Sequence, residues 1–180
     1  MFFAGSCQKA PLSSSKPLVI ILIGPPGAGK GTHAVELAKK FAIPHISTGD
    51  LFRANLKKET PLGQKAQEYI QSGNLVPDAI VIDMLMDRIN KPDCQKGFIL
   101  DGFPRTLTQA EALAAKLQDQ YQQIVLNIEV PDDFLIDRIS NRQVCKSCGS
   151  TYNKKYLPAK NANICDECTG ELYQRADDNP

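Results

Sequence analysis

Leu18-Val19-Ile20-Ile21-Leu22-Ile23-Gly24-Pro25-Pro26-Gly27-Ala28-Gly29-Lys30-Gly31-Thr32 is the stretch whose reading decides the fold. Leu18 to Ile23 are all aliphatic. An unbroken run of that length reads as a strand buried on both faces, as in a parallel sheet covered by helices. The run stops at Gly24, and Gly29-Lys30 follows after four intervening residues. That is the spacing of a loop that cradles phosphate. Glycines let backbone N–H groups turn toward phosphate oxygens with no Cβ in the way. A helix starting here adds the positive end of its dipole, and Lys30 reaches the outer phosphates. One position departs from the common pattern: Gly31 follows Lys30, and the hydroxyl comes one place later at Thr32. A direct hydroxyl ligand to magnesium is therefore not expected at position 31. The stretch predicts binding of a nucleoside triphosphate.

Working outward, Ala34, Leu37, Ala38 and Phe41 give an apolar stripe at helical spacing, with His33 on the polar side. Residues 43–46 read as a short strand that includes His45, taken as a packing residue. Ser47-Thr48-Gly49-Asp50 then supplies helix caps. Thr60-Pro61 restarts a helix that breaks at 72–74, and Pro77-Asp78 opens another. Gly97 to Leu100 is a second buried strand, ending at Asp101. Residues 106–120 read as a helix, 124–130 as a strand, and Pro131 as the start of a helix carrying Arg138 and Arg142. Strands alternating with helices imply an α/β fold, a parallel sheet with helices on both faces. Asp101, directly after a buried strand, is where a carboxylate that holds magnesium is expected.

With 180 residues the chain has material for one large domain with inserts, and its net charge of +1 gives no general attraction to nucleic acid or anionic membrane. No apolar stretch reaches membrane length. Residues 1–16 lack the basic start and apolar length of a signal peptide and read as a flexible leader. Cys7 and Cys94 stand alone. The other four cysteines form two close pairs, Cys145-Lys-Ser-Cys148 and Cys165-Asp-Glu-Cys168, with sixteen residues between the pairs. Two such pairs match a tetrahedral four-thiolate zinc site, structural because its coordination shell is closed. Disulfides are the alternative, disfavoured in a reducing compartment, and cobalt or iron could take the place of zinc. A cytoplasmic location is expected.

Three segments, Gly-Pro-Pro-Gly-Ala-Gly-Lys-Gly-Thr at 24–32, Ser-Thr-Gly-Asp-Leu-Phe-Arg at 47–53 and Leu-Asp-Gly-Phe-Pro-Arg-Thr at 100–106, resemble the adenylate kinases in order and spacing. The cysteine pairs are similar to the zinc-bearing lid of bacterial long forms. The resemblance implies transfer of the terminal phosphoryl of ATP to AMP, giving two ADP, by a monomer with magnesium on the ATP. It implies a core domain over 17–46 and 77–140, an AMP-side insert over 47–76 and a lid over 141–178. Carried over by position, Gly27, Ala28, Gly29, Lys30, Gly31 and Thr32 would hold the ATP phosphates. Thr151 and Tyr152 would lie near the ATP base. Thr48, Arg53, Asn74, Leu75, Val76, Gly102, Phe103, Pro104, Arg105 and Gln109 would form the AMP site, with Arg175 joining on closure. Gln109 would pair with the adenine edge through its amide. Arg138 and Arg142, four apart and read as one helix face, would reach the transferring phosphoryl group, with Lys30, Arg105 and Asp101. Arg88 reads as a surface ion pair.

The resemblance also implies a further helix, an edge strand and a last helix after the lid, with another phosphate-binding arginine and the loop around the ATP base. Without them the chain is expected to show weak or no kinase activity and to expose an apolar face of its sheet. Three alternatives stay open at this stage. One is a UMP or CMP kinase, against which stand Thr48 and the long lid. The second is an inactive nucleotide- and zinc-binding fragment. The third, a zinc ribbon on nucleic acid, is opposed by the balanced lid charge.

Overall fold

The computed structural model describes residues 16–72, 74–175 and 178. Residues 1–15 of the leader, Cys7 among them, and Gly73 lie outside the described residues. Strand β1 (Leu18–Ile23) leads through the glycine-rich loop into helix α1 (Lys30–Phe41). Strand β2 (His45–Ser47) and helices α2 (Thr48–Lys57), α3 (Pro61–Gln71) and α4 (Asp78–Ile89) follow. Next come strand β3 (Gly97–Asp101), helix α5 (Leu107–Leu117), strand β4 (Gln122–Asn127) and helix α6 (Asp132–Ser140). Three short strands end the chain: β5 (Arg142–Cys145), β6 (Thr151–Asn153) and β7 (Leu172–Tyr173).

The first four strands form one parallel sheet in the order β2-β3-β1-β4. Its core divides as the period of a strand requires. Val19, Ile21, Phe98 and Leu100 pack with Leu85, Ile89, Leu113 and Leu117 of α4 and α5. Ile20, Leu22 and Ile99 pack with Ala34 of α1. Helices therefore cover both faces, as the aliphatic run predicts. β1 and β3 approach closely at Gly97, whose φ is +120°; a Cβ there would stand 2.0 Å from the Leu18 carbonyl oxygen. The sheet's outer strand β4 keeps Val125 58% exposed.

The helical insert is capped as the sequence predicts. The Ser47 side chain accepts from the Asp50 N–H, and Thr60 accepts from Gly63 N–H ahead of Pro61. Three boundaries differ from expectation, the first being the strand expected over 43–46, which spans His45–Ser47. The helix expected over 106–120 ends at Leu117, because Gln118 takes φ +42° and a 3-10 turn follows. The strand expected over 124–130 spans Gln122–Asn127, in register with Leu18–Ile23. The partner strand, not the local apolar pattern, sets those ends. Among the described residues no helix is long and apolar enough to cross a membrane.

Candidate active site

The phosphate loop follows from the end of β1. Gly29, at φ +94°, caps α1 without a side-chain bond, so the first amides of the helix stay available to an anion. Lys30 folds back over the loop, its Nζ donating to the Gly24 oxygen at 3.0 Å and the Pro25 oxygen at 2.9 Å. Desolvation lowers the Lys30 pKa; Asp101 opposes this, while Arg105 and Arg142 push it further down. Asp101, Arg105 and Arg142 thus all act on Lys30, although the chain sets them 71 to 112 positions away (101 − 30 and 142 − 30).

Asp101 ends β3 beside the start of α1. A Cβ on Gly31 would lie 3.4 Å from Asp101 Oδ2, so the missing side chain leaves that side of the carboxylate open. A hard oxygen donor facing the loop suits magnesium held directly or through water. Thr32 is exposed. His45, read as a packing residue, places Nε2 3.4 Å from Asp101 Oδ2 and has no hydrogen bond there among the described residues.

On the acceptor side, the Thr48 hydroxyl reaches the Asp101 and Gly102 carbonyl oxygens at 3.2 and 3.0 Å, tying α2 to the end of β3. Arg53 donates to Asp50 Oδ1 at 2.5 Å, and Arg175 stands 3.6 Å from the same oxygen. Burial pushes the Asp50 carboxyl up, but the Arg53 guanidinium, the Ser47 hydroxyl and Arg175 hold it below the usual range. Arg105 Nε donates to the Gly102 oxygen at 2.8 Å. Gln109 is buried, accepting from the Arg105 N–H at 2.8 Å and donating to Asp78 Oδ1 at 2.5 Å. Phe103 is fully buried in the core beside Pro104. Asn74, Leu75 and Val76 lie in the connection before α4, with Leu75 94% exposed. Arg88 pairs with Asp93 at 2.7 Å, as expected.

One expectation needs correction. Arg138 and Arg142 do not share a helix face: α6 ends at Ser140, and Arg142 opens β5. The Arg142 guanidinium is instead held by both oxygens of Asp178, which is 1% exposed. Arg138 makes no ion pair among the described residues. The Tyr152 side chain is buried against the cysteine cluster, its hydroxyl 3.4 Å from Cys165 Sγ. The aspartates that hold these groups, Asp50, Asp78 and Asp178, were not singled out by the sequence reading. Only Asp50 carries a local signal, three residues before Arg53 on one helix.

In the lid Cys145, Cys148, Cys165 and Cys168 are free thiols whose sulfurs all lie within 4.8 Å of one another. A tetrahedral zinc with bonds of about 2.3 Å needs sulfurs about 3.8 Å apart, and Cys145–Cys168 and Cys148–Cys165 stand at 3.4 and 3.5 Å. Gly149, at φ +79°, turns the first pair, with its N–H on the Cys145 oxygen. The Tyr152 hydroxyl lowers Cys165 to about 6, whereas Cys168 is pushed up to about 12 by the Cys148 and Cys145 sulfurs, against a backbone donor at Gly170. Four sulfurs so placed fit a structural zinc, which would keep all four as thiolates.

A parallel sheet with a phosphate loop at its strand ends, a helical insert and a separate lid defines a P-loop nucleoside monophosphate kinase fold. The adenylate kinase family model matches residues 22–179. The chain is 58% identical over 161 residues to an adenylate kinase of Carboxydothermus hydrogenoformans, covering 88% of this chain and 75% of that one. An adenylate kinase of Caldicellulosiruptor bescii is 56% identical over the same shares. A third, of Lachnoclostridium phytofermentans, is 55% identical over 163 residues, 89% of this chain and 75% of its own. The chain belongs to the adenylate kinase family.

Proposed function

We propose that this chain transfers the terminal phosphoryl group of magnesium-bound ATP to AMP, reversibly, giving two ADP. An oxygen of the AMP phosphate forms the new bond to phosphorus as the bond to the ADP oxygen breaks. The attacking phosphate is already an anion, so no general base is needed. What carries the reading is the start of α1, which has no side-chain cap, with Lys30 folded over the loop and the Asp101 carboxylate beside Gly31.

In this reading residues 27–32 hold the ATP phosphates and Lys30 follows the charge that develops on the outer ones. Arg105, Arg138 and Arg142 neutralise the transferring group. Arg53, Arg105 and, on closure, Arg175 hold the AMP phosphate, as guanidinium forks suit a dianion. Thr48, residues 74–76 and 102–104, and Gln109 line the nucleoside side; Thr151 and Tyr152 flank the ATP base. Asp101 would hold magnesium, which supplies charge neutralisation on the phosphates. The lid cysteines would hold a structural zinc. The division into a core over 17–46 and 77–140, an insert over 47–76 and a lid over 141–178 supplies the closure that excludes water. The protein is read as a cytoplasmic monomer with small-molecule substrates, without nucleic-acid or membrane partners.

Calorimetric titration with two adenosines joined by five phosphates, with magnesium, tests this without requiring turnover. Binding at least tenfold tighter than AMP alone is the expected outcome. Equal binding of the two would remove the two-site reading, and preference for CMP or UMP over AMP would replace the acceptor.

A further inference from the structure

We infer that Asp78 fixes the base specificity of the acceptor site by dictating which end of the Gln109 amide donates. The inference rests on the proposed AMP site at Gln109. Asp78 is the first residue of α4, held there by the preceding Pro77. Thr106 and Gln109 sit at the start of α5, about 30 positions further on. The Asp78 carboxylate bridges them: Thr106 Oγ1 donates to its Oδ2 at 2.7 Å, and Gln109 Nε2 donates to its Oδ1 at 2.5 Å. Thr106 in turn accepts from the Gln109 N–H at 3.2 Å. The opposite end of the amide, Oε1, accepts from the Arg105 N–H at 2.8 Å.

These partners decide the amide's orientation by chemistry alone. A carboxylate only accepts, so the atom facing Asp78 must be the NH2 group. A backbone N–H only donates, so the atom facing Arg105 must be the oxygen. Reversing the amide would set oxygen against carboxylate and NH2 against N–H, two unpaired contacts at a side chain that is 5% exposed. A primary amide has two donor hydrogens and two acceptor lone pairs. With one of each used, one donor and one acceptor remain, at ends that cannot exchange.

A purine edge is read by that order. Adenine offers an acceptor at N1 and a donor at its 6-amino group; hypoxanthine and guanine offer a donor at N1 and an acceptor at O6. A freely rotating glutamine would match either by turning over. One pinned at both ends matches a single order and leaves the other with unpaired buried groups. Asp78 is thus a positioning residue that acts through Gln109.

The test is equilibrium binding of AMP and IMP by calorimetry to the wild type, Asp78→Asn and Asp78→Ala. Asparagine can accept or donate, so it tolerates both amide orientations; the AMP-over-IMP affinity ratio should fall about tenfold. Both variants leave the Arg105 N–H pin in place, and alanine, which neither accepts nor donates, should lower the ratio to a similar extent. If one variant does not fold, the other still reads the ratio. A merely structural role would weaken both nucleotides equally, and an unchanged ratio in the folded variants overturns the inference while leaving the AMP site standing. A wild type that binds the five-phosphate mimic no better than AMP, and AMP no better than IMP, would instead remove the reading on which the inference depends.

Discussion

The sheet and the lid solve the same problem with opposite means. The sheet orders its phosphate corner by burial: Val19, Leu22, Phe98, Ile99 and Leu100 are fully enclosed, and the loop leaves β1 with its direction already set. The lid has no such interior. Its enclosed cluster is Cys145, Tyr152, Cys165 and Leu172, two of the four being cysteines of the candidate metal site. Its strands are four, three and two residues long. A cluster that small cannot offset the entropy of ordering some thirty residues. The sheet draws its order from buried aliphatic residues, whereas the lid has four sulfurs placed so that a bound metal would supply the order its small cluster does not.

Removing the metal should break this comparison most sharply. Binding to four thiolates is worth on the order of 10 kcal/mol in small zinc domains, more than the lid's own packing. Zinc-loaded protein treated with a strong chelator should lose hydrogen-exchange protection at Lys146, Cys165 and Leu172, whose amides bond to Glu171, Gly170 and Asn163. The β1 amides, paired along both β3 and β4, should keep theirs. Simultaneous loss in β1 would mean that the two regions fold as one unit.

The second expectation sharpens the contrast from the other side. Phe98→Ala removes a fully buried ring that stacks edge-on against Tyr121 at 5.9 Å. Such truncations cost about 3–5 kcal/mol, to be read from denaturant unfolding followed at the sheet. Metal content of the lid, measured on the folded fraction, should stay the same. A parallel fall in metal retention would show that the lid draws its order from the sheet after all.

How much of this was legible in the sequence follows the same division. Leu18–Ile23 and Gly97–Leu100 could be read directly, because a strand buried on both faces leaves a continuous aliphatic run. The cysteine cluster was legible because metal spacing is local within each pair. The distant aspartate partners were not. Asp178 meets Arg142 across 36 positions, and Asp78 meets Gln109 across 31. An aspartate near a helix start reads as a cap until folding brings its partner to it. Arg142 was misplaced for a related reason: nothing in Ser140-Asn141-Arg142 announces the end of α6, which comes where the chain turns to pair Arg142 with Asn153.

The smallest expected effect concerns how the lid is fastened to α6. Asp137, on α6, accepts from the Tyr156 hydroxyl and from Lys155 Nζ at 3.0 Å. The Tyr156 hydroxyl first, then the Lys155 ammonium, hold its carboxyl below the ordinary 3.8. A carboxyl so depressed stabilises the fold fully above the ordinary value and loses that contribution only as pH falls through the lower, folded value. The clamp is therefore constant from about pH 8 to about pH 6, while protons begin to compete with metal for the cysteines over the same range. Exchange at the Lys155 and Tyr156 amides, both bonded to Asn153 Oδ1, separates the two fastenings. In Asp137→Asn these amides should exchange a few-fold faster at every pH in that window, with metal content unchanged. Faster exchange in the wild type that tracks metal loss, and no effect of the substitution, would assign the whole fastening to the metal.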